Sequence, residues 1–170
     1  MTPKLVFIGP MGAGKSTVGH AMASRMKWEF TDTDSLIELD QGKTISEIFI
    51  EDGEPHFRLV EESVVIDALS EREGVLALGG GAVMSNPVQA ALKKTPAKKI
   101  FLDISLTAVS PRVGFDTARP LLMVNPRQKW TELMNSRRSI YEDLSDFTID
   151  VSDRSVDEVT DLVLEKIVNL

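Results

Sequence analysis

Cysteine is absent from the 170-residue chain, which excludes disulfides and thiolate metal sites. Histidine occurs twice, at His20 and His56, too few for a histidine-built metal cluster. No apolar run approaches the roughly 20 residues needed to span a bilayer. Positive charge is in deficit: 19 Lys and Arg against 26 Asp and Glu leave a net charge of −7. That balance argues against general nucleic-acid binding, which needs a positive face to neutralise phosphates. An acidic protein that handles anionic ligands must gather its positive charge locally. Arg58, Arg112, Arg119, Arg137 and Arg154 therefore become candidate ligand contacts. The apolar run Leu5-Val6-Phe7-Ile8 fits neither a signal peptide nor a transit peptide, and with the lack of cysteine it predicts a cytoplasmic location.

Hydrophobic residues make up 42% of the chain and charged residues 26%. A chain of this length can bury one substantial core, so a single domain over 1–170 is the expectation. Short apolar runs alternate with helical stretches, the α/β pattern. Strands are predicted over Lys4–Ile8, Trp28–Thr31, Val75–Leu78, Lys99–Ile104 and Phe147–Val151. Near-continuous runs such as Ile100-Phe101-Leu102 suit a parallel sheet covered on both faces. Thr44-Ile45-Ser46-Glu47 and Ser155-Val156-Asp157-Glu158 read as capping boxes. Asn86-Pro87 and Asn125-Pro126 each place a cap before a proline at the first helical position. Val156, Val159, Val163 and Ile167 recur at helical spacing, which predicts a core face. The segment 113–125 lacks periodicity, and its length is typical of a functional loop. It is expected to be a mobile lid.

The strongest local signal is Gly9-Pro10-Met11-Gly12-Ala13-Gly14-Lys15-Ser16-Thr17, placed after an apolar strand and opening an amphipathic stretch. Strand, glycine loop and helix in that order define a phosphate-binding loop. The glycines let consecutive N–H groups point inward at a polyphosphate, and the helix N-terminus adds partial positive charge. Gly12, Ala13, Gly14, Lys15, Ser16 and Thr17 are the expected nucleotide contacts. Lys15 would reach the β- and γ-phosphates, and the Ser16 hydroxyl would hold Mg²⁺. The guanine-reading pattern Asn-Lys-x-Asp is absent, which lowers the GTPase reading. Ile100-Phe101-Leu102-Asp103 can be read as a strand ending in a magnesium-linked aspartate, or Asp103 simply ends the strand or caps the next helix.

Asp32-Thr33-Asp34 closes the second predicted strand, at the end of a parallel sheet where ligands collect. Asp32 would hold waters of Mg²⁺ near Ser16. Asp34 would accept a hydrogen bond from an acceptor hydroxyl and orient or deprotonate it. Both can instead cap the helix containing Leu36-Ile37-Glu38-Leu39. Gly79-Gly80-Gly81 follows the third strand, and three glycines exceed what a turn requires unless the backbone approaches something closely. Glu61 lies one helical turn beyond Arg58, where it can hold that guanidinium. The tandem Arg137-Arg138 sits on a predicted helix, where adjacent side chains point about 100° apart. Only one of the two can face a site.

These clusters, with Gly53-Glu54-Pro55-His56-Phe57-Arg58, Arg119-Pro120-Leu121-Leu122, and Arg137 four residues before Tyr141, closely resemble shikimate kinases from Leu5 to Val168. The resemblance implies a three-layer P-loop fold with five parallel strands in order 2-3-1-4-5, flanked by helices. It implies a monomer that transfers phosphate from ATP, with Mg²⁺, to the 3-hydroxyl of shikimate. Arg58 and Arg137 match the family's carboxylate-binding arginines, which leaves Arg138 solvated. Gly79, Gly80 and Gly81 would offer amides to the ring hydroxyls, and Phe49 and Phe57 would wall the ring. The substrate region would run over about 32–62. Arg119 matches the lid arginine, Arg112 an arginine that stacks on adenine, and Arg154 one that closes the adenine pocket. Ser139 departs from the family's usual proline. Two other readings share the nucleotide loop: a kinase for a flexible hydroxy acid such as gluconate, and a nucleotide-dependent switch.

Overall fold

The apolar run after the N-terminus forms β1 (Pro3–Ile8), the central strand of the only sheet among the described residues, 2–113 and 125–168 of this computed structural model. On one side β1 pairs with β3 (Gly74–Ala77), which in turn pairs with β2 (Phe30–Asp32). On the other it pairs with β4 (Lys98–Asp103), followed by β5 (Phe147–Asp150). All four pairings are parallel and the order is 2-3-1-4-5. Leu5–Ile8, Val75–Leu78 and Ile100–Leu102 are buried along their whole length. Burial on both faces is why these strands read as continuous rather than alternating apolar runs. Each Val, Leu, Ile or Phe among them contributes roughly 1.5–3 kcal/mol of hydrophobic stabilisation.

Two helical layers cover the sheet. In one, α1 (Lys15–Met26) packs on α8 (Val156–Val168). In the other, α5 (Asn86–Lys94) bridges α4 (Glu54–Glu71) and α7 (Pro126–Leu144). Arg25 near the end of α1 ties the layers' first pair together, bonding Asp157 at 2.9 Å and also Asp161. The short helices α2 (Thr33–Gln41) and α3 (Ile45–Glu51) build a satellite core of Ile37, Ile48 and Phe57 against α4. Helix α6 (Leu106–Val113) follows β4. Register places Asp32 beside Ala77 and Ala77 beside Phe7. The segments leaving β1, β2 and β3 therefore emerge together, and that end of the sheet carries the site.

Both capping boxes form. Thr44 Oγ1 accepts from Glu47 N at 3.2 Å while Thr44 N donates to Glu47 Oε2 at 2.7 Å, and Ser155 and Glu158 exchange the same pair at 3.2 and 2.6 Å. Asn125 occupies the N-cap position of α7, in the left-handed region (φ 48°), but its side chain makes no capping hydrogen bond. Three expectations are corrected. The second strand begins at Phe30, not Trp28, because Lys27 closes α1 in the left-handed region (φ 54°) and the Trp28 amide bonds back to Ala23 O at 2.9 Å. Ser85, not Asn86, caps α5, its Oγ accepting from Val88 N, so Asn86 is the first helical residue. Val156 is 38% exposed and lies outside the core face that Val159 and Val163 provide. The expected lid falls mainly on residues 114–124, outside the described residues, as does Arg119.

Candidate active site

The loop between β1 and α1 is pinned from several sides. Ala13 N donates to Pro10 O at 3.3 Å, and Gly14 caps α1 in the left-handed region. Lys15 Nζ donates to the carbonyls of Gly9 (2.8 Å) and Pro10 (3.0 Å), which holds its ammonium over the loop. Trp130, buried on α7, donates its indole N–H to Met11 O at 3.0 Å. Arg112 Nη1 donates to Gly12 O at 3.1 Å. The loop opens on a cleft of about 410 Å³ lined by, among others, Lys15, Ser16, Asp32, Asp34, Gly79 and Arg112.

The two carboxylates at the end of β2 and the start of α2 have separate roles. Asp32 caps α2, its Oδ1 accepting from Asp34 N at 2.9 Å, while its Oδ2 accepts from the Ser16 hydroxyl. Capping and the contact to Ser16 thus coexist on one side chain. Asp34 points inward instead, and its buried Oδ1 has no hydrogen-bond partner in the fold. Burial, then the neighbouring charges of Asp32 and Glu61, push its carboxyl up to about 7, with Lys15 opposing them. A carboxylate aimed into a cleft and poised near neutral pH suits a group that accepts a proton or a hydroxyl hydrogen bond.

The glycine triplet is the surface on which the charged side chains rest. A β-carbon on Gly79 would lie 2.7 Å from Asp34 Oδ1 and 2.9 Å from Glu61 Oε2. On Gly81 it would meet the Arg58 guanidinium, at 2.7 Å from Cζ. On Gly80 it would sit 3.5 Å from Arg137 Nη1. The Gly79 amide donates to the hydroxyl of fully buried Thr33 at 3.3 Å, so it is already committed within the fold. Because the obstructed groups are side-chain ends, Gly81→Ala is expected to fold while displacing Arg58. Its effect on acceptor KM should vanish in an Arg58→Ala background; an additive double variant would place Gly81 on another group.

Arg58 Nη1 donates to Glu61 Oε1 at 2.6 Å, and Glu54 lies 3.4 Å away. Glu61 is only 2% exposed; burial raises its pKa, opposed by the charge and hydrogen bond of Arg58. Arg137 is 5% exposed on α7, with Glu61 and Tyr141 in its electrostatic surroundings. Tyr141, the chain's only tyrosine, donates its hydroxyl to Gly80 O at 2.5 Å. Two guanidinium groups, a buried carboxylate and the triplet are thereby brought together beside the phosphate loop.

Other expected contacts fare differently. Arg138 is partly solvated, its side chain 41% exposed, but it is not free: its guanidinium forks onto Asp103, at 2.8 and 3.0 Å. Asp103 accordingly ends β4 as that arginine's partner. Phe57 belongs to the satellite core, with Phe49 packed on it at 4.6 Å between ring centroids. Arg154 is exposed and does not line the cleft, whereas Val156, two residues on, does. Sequence reasoning missed Val156, Thr33 and Trp130 as site residues. Trp130, Met134, Arg137, Tyr141 and Leu144 are spaced by fours and threes on the buried stripe of α7, and that period was the available signal.

A glycine loop feeding a helix, with carboxylates at the neighbouring strand end and two guanidinium groups over the adjoining glycine triplet, defines a P-loop kinase that acts on an anionic acceptor. The family model for shikimate kinase matches residues 11–168. A shikimate kinase from Streptomyces coelicolor is 43% identical over 165 residues, covering 97% of this chain and 95% of that protein. The solved structure of a shikimate kinase from Acinetobacter baumannii in complex with shikimate superimposes with a TM-score of 0.94 at 34% identity, covering 99% of this chain and 94% of that one. The shikimate kinase from Aquifex aeolicus gives a TM-score of 0.82 at 29% identity, over 96% and 95% of the two chains. The chain belongs to the shikimate kinase family.

Proposed function

We propose that the cleft transfers the γ-phosphate of ATP to the 3-hydroxyl of shikimate, giving shikimate 3-phosphate and ADP on the route to aromatic amino acids. The observation that carries this reading is the meeting of Asp34, Arg58 and Arg137 over the glycine triplet, next to Lys15. Guanidinium forks match a planar carboxylate with paired, charge-assisted bonds, and a rigid ring carries its hydroxyls at fixed distances from that carboxylate. Anchoring the carboxylate at Arg58 and Arg137 brings one hydroxyl to Asp34, which orients it and accepts its proton as the oxygen attacks phosphorus. Lys15 leaves the carbonyls of Gly9 and Pro10 to follow the transferring phosphate, and the amides of Gly12–Thr17 hold the chain of phosphates. Arg112 and Val156 line the same cleft and would contact the nucleoside.

Mg²⁺ fits this site. Ser16 and Asp32 supply a hydroxyl and a carboxylate already in contact, hard oxygen donors of the kind that ion takes while keeping several waters. Among the described residues no group of three or more His, Cys, Asp or Glu could hold a metal by itself, so the remaining ligands would have to come from phosphates and water. Bound there, Mg²⁺ would neutralise charge on the β- and γ-phosphates.

ADP release measured with shikimate and with gluconate as alternative acceptors tests the assignment. Shikimate should stimulate release strongly and gluconate weakly. Stimulation by gluconate alone would move the acceptor to a flexible acid. Slow hydrolysis indifferent to both would favour a nucleotide switch.

A further inference from the structure

Arg138 and Asp103 take no part in the chemistry above, yet they form the best-matched ion pair near the site. Arg138 Nη1 and Nη2 donate to Asp103 Oδ2 and Oδ1, at 2.8 and 3.0 Å, a two-pronged fork. Glu142, one turn further along α7, stands 3.7 Å from the same guanidinium. The Arg138 guanidinium lies over the Phe101 ring at 6.0 Å, and Phe101 stacks on Tyr141 at 5.0 Å between centroids. Tyr141 in turn reaches Gly80 O. Arg138 is thus the neighbour of Arg137 in sequence, and its partners lead back to the floor of the site.

The physical problem is one of azimuth. On its buried stripe α7 carries two directional contacts, Trp130 Nε1–H to Met11 O and Tyr141 O–H to Gly80 O. The remaining apolar contact of Met134 and Leu144 is non-directional and resists separation more than small rotations and slides. Gripping a carboxylate through a guanidinium fork is directional, and a misplacement of about 1 Å is costly. A second fork, one residue along and about 100° around the helix, adds a directional restraint off that stripe, anchored on β4. Asp103 is a suitable anchor because it ends β4, next to the central strand.

We propose that Asp103 and Arg138 are positioning residues that set the rotation of α7, and through it the aim of the Arg137 guanidinium at the acceptor carboxylate. This rests on the reading that Arg137 holds that carboxylate.

The test compares Asp103→Asn, Arg138→Ala, the double variant and Arg137→Ala. Each is assayed for shikimate KM, ATP KM, kcat and melting temperature. Asp103→Asn is nearly isosteric, so it keeps the test valid even if Arg138→Ala folds poorly. Either single change should raise shikimate KM about fivefold, a coupling of ordinary size for contacting residues. ATP KM and kcat should hold, because loosening a remote carboxylate contact weakens ground and transition states alike. The double variant should be no worse than either single variant. Arg137→Ala should raise shikimate KM further than any of them. If Arg137→Ala raises KM but neither pair variant does, the positioning role is refuted and the binding reading stands, even if melting falls. If both KM values climb together in the pair variants, the effect is general loosening and the proposal is also refuted. If Arg137→Ala itself leaves shikimate KM unmoved, the carboxylate reading fails first.

Discussion

Asp34→Asn should lower turnover by roughly 10²–10⁴-fold, the range attributed to a positioned acid–base group. The substitution keeps the shape of the side chain and removes only its ability to hold a negative charge. The wild-type pH profile should show the same group. Because the Asp34 carboxyl is pushed up to about 7, chiefly by burial, its charged form gains population as pH rises through neutrality. The rate at subsaturating shikimate should therefore climb about tenfold per pH unit below that point and flatten above it. In Asp34→Asn the climb should disappear. A variant with near-normal rate and an intact profile would remove Asp34 from the chemistry.

The same shift makes a stability statement with the opposite pH sense. A carboxyl whose folded-state pKa lies above its unfolded value of 3.8 favours the fold when protonated. That contribution is complete below the unfolded pKa and is lost as pH rises through about 7. Asp34→Asn, permanently neutral, should therefore melt higher than the wild type at pH 8 and differ little at pH 4. Thermal denaturation at the two pH values checks this directly. The active site carries a group that works against the fold under the conditions in which it acts.

The second large effect belongs to Lys15. Lys15→Ala should cut phosphate transfer by about 10³-fold or more, since the ammonium is the one cation the phosphate loop itself brings to the β- and γ-phosphates. The Lys15 ammonium also bridges the carbonyls of Gly9 and Pro10, so its removal loosens the loop as well as the grip on phosphate. Shikimate binding by calorimetry should survive, because Arg58, Glu61 and Arg137 are anchored by α4, α7 and the glycine triplet instead. Near-normal turnover would contradict the loop's assignment. Loss of shikimate binding would mean that the two halves of the cleft are one cooperative unit.

How much of this was legible beforehand depended on distance along the chain. The phosphate loop, both capping boxes and the pairing of Arg58 with Glu61 at 2.6 Å follow from short spacings that helix and strand geometry convert directly into contacts. Two errors were local as well. Proline at the second helical position moved the α5 cap to Ser85, and Lys27 in the left-handed region delayed β2. Val156 sits at helical spacing with Val159 and Val163, but it opens α8 at the sheet end and faces the cleft. Periodicity identifies a face without saying where the layer beneath it stops.

The chain's pattern by itself determined a nucleotide-binding α/β protein, because glycine torsions, strand periods and helix starts act over a few residues. Tertiary structure alone decided which charges meet. Asp103 and Arg138 are 35 residues apart and Gly79 and Thr33 are 46 apart, and nothing in either neighbourhood encodes the other. The raised pKa of Asp34 likewise comes first from desolvation, a property of everything packed around the carboxyl and not of the residues beside it in sequence.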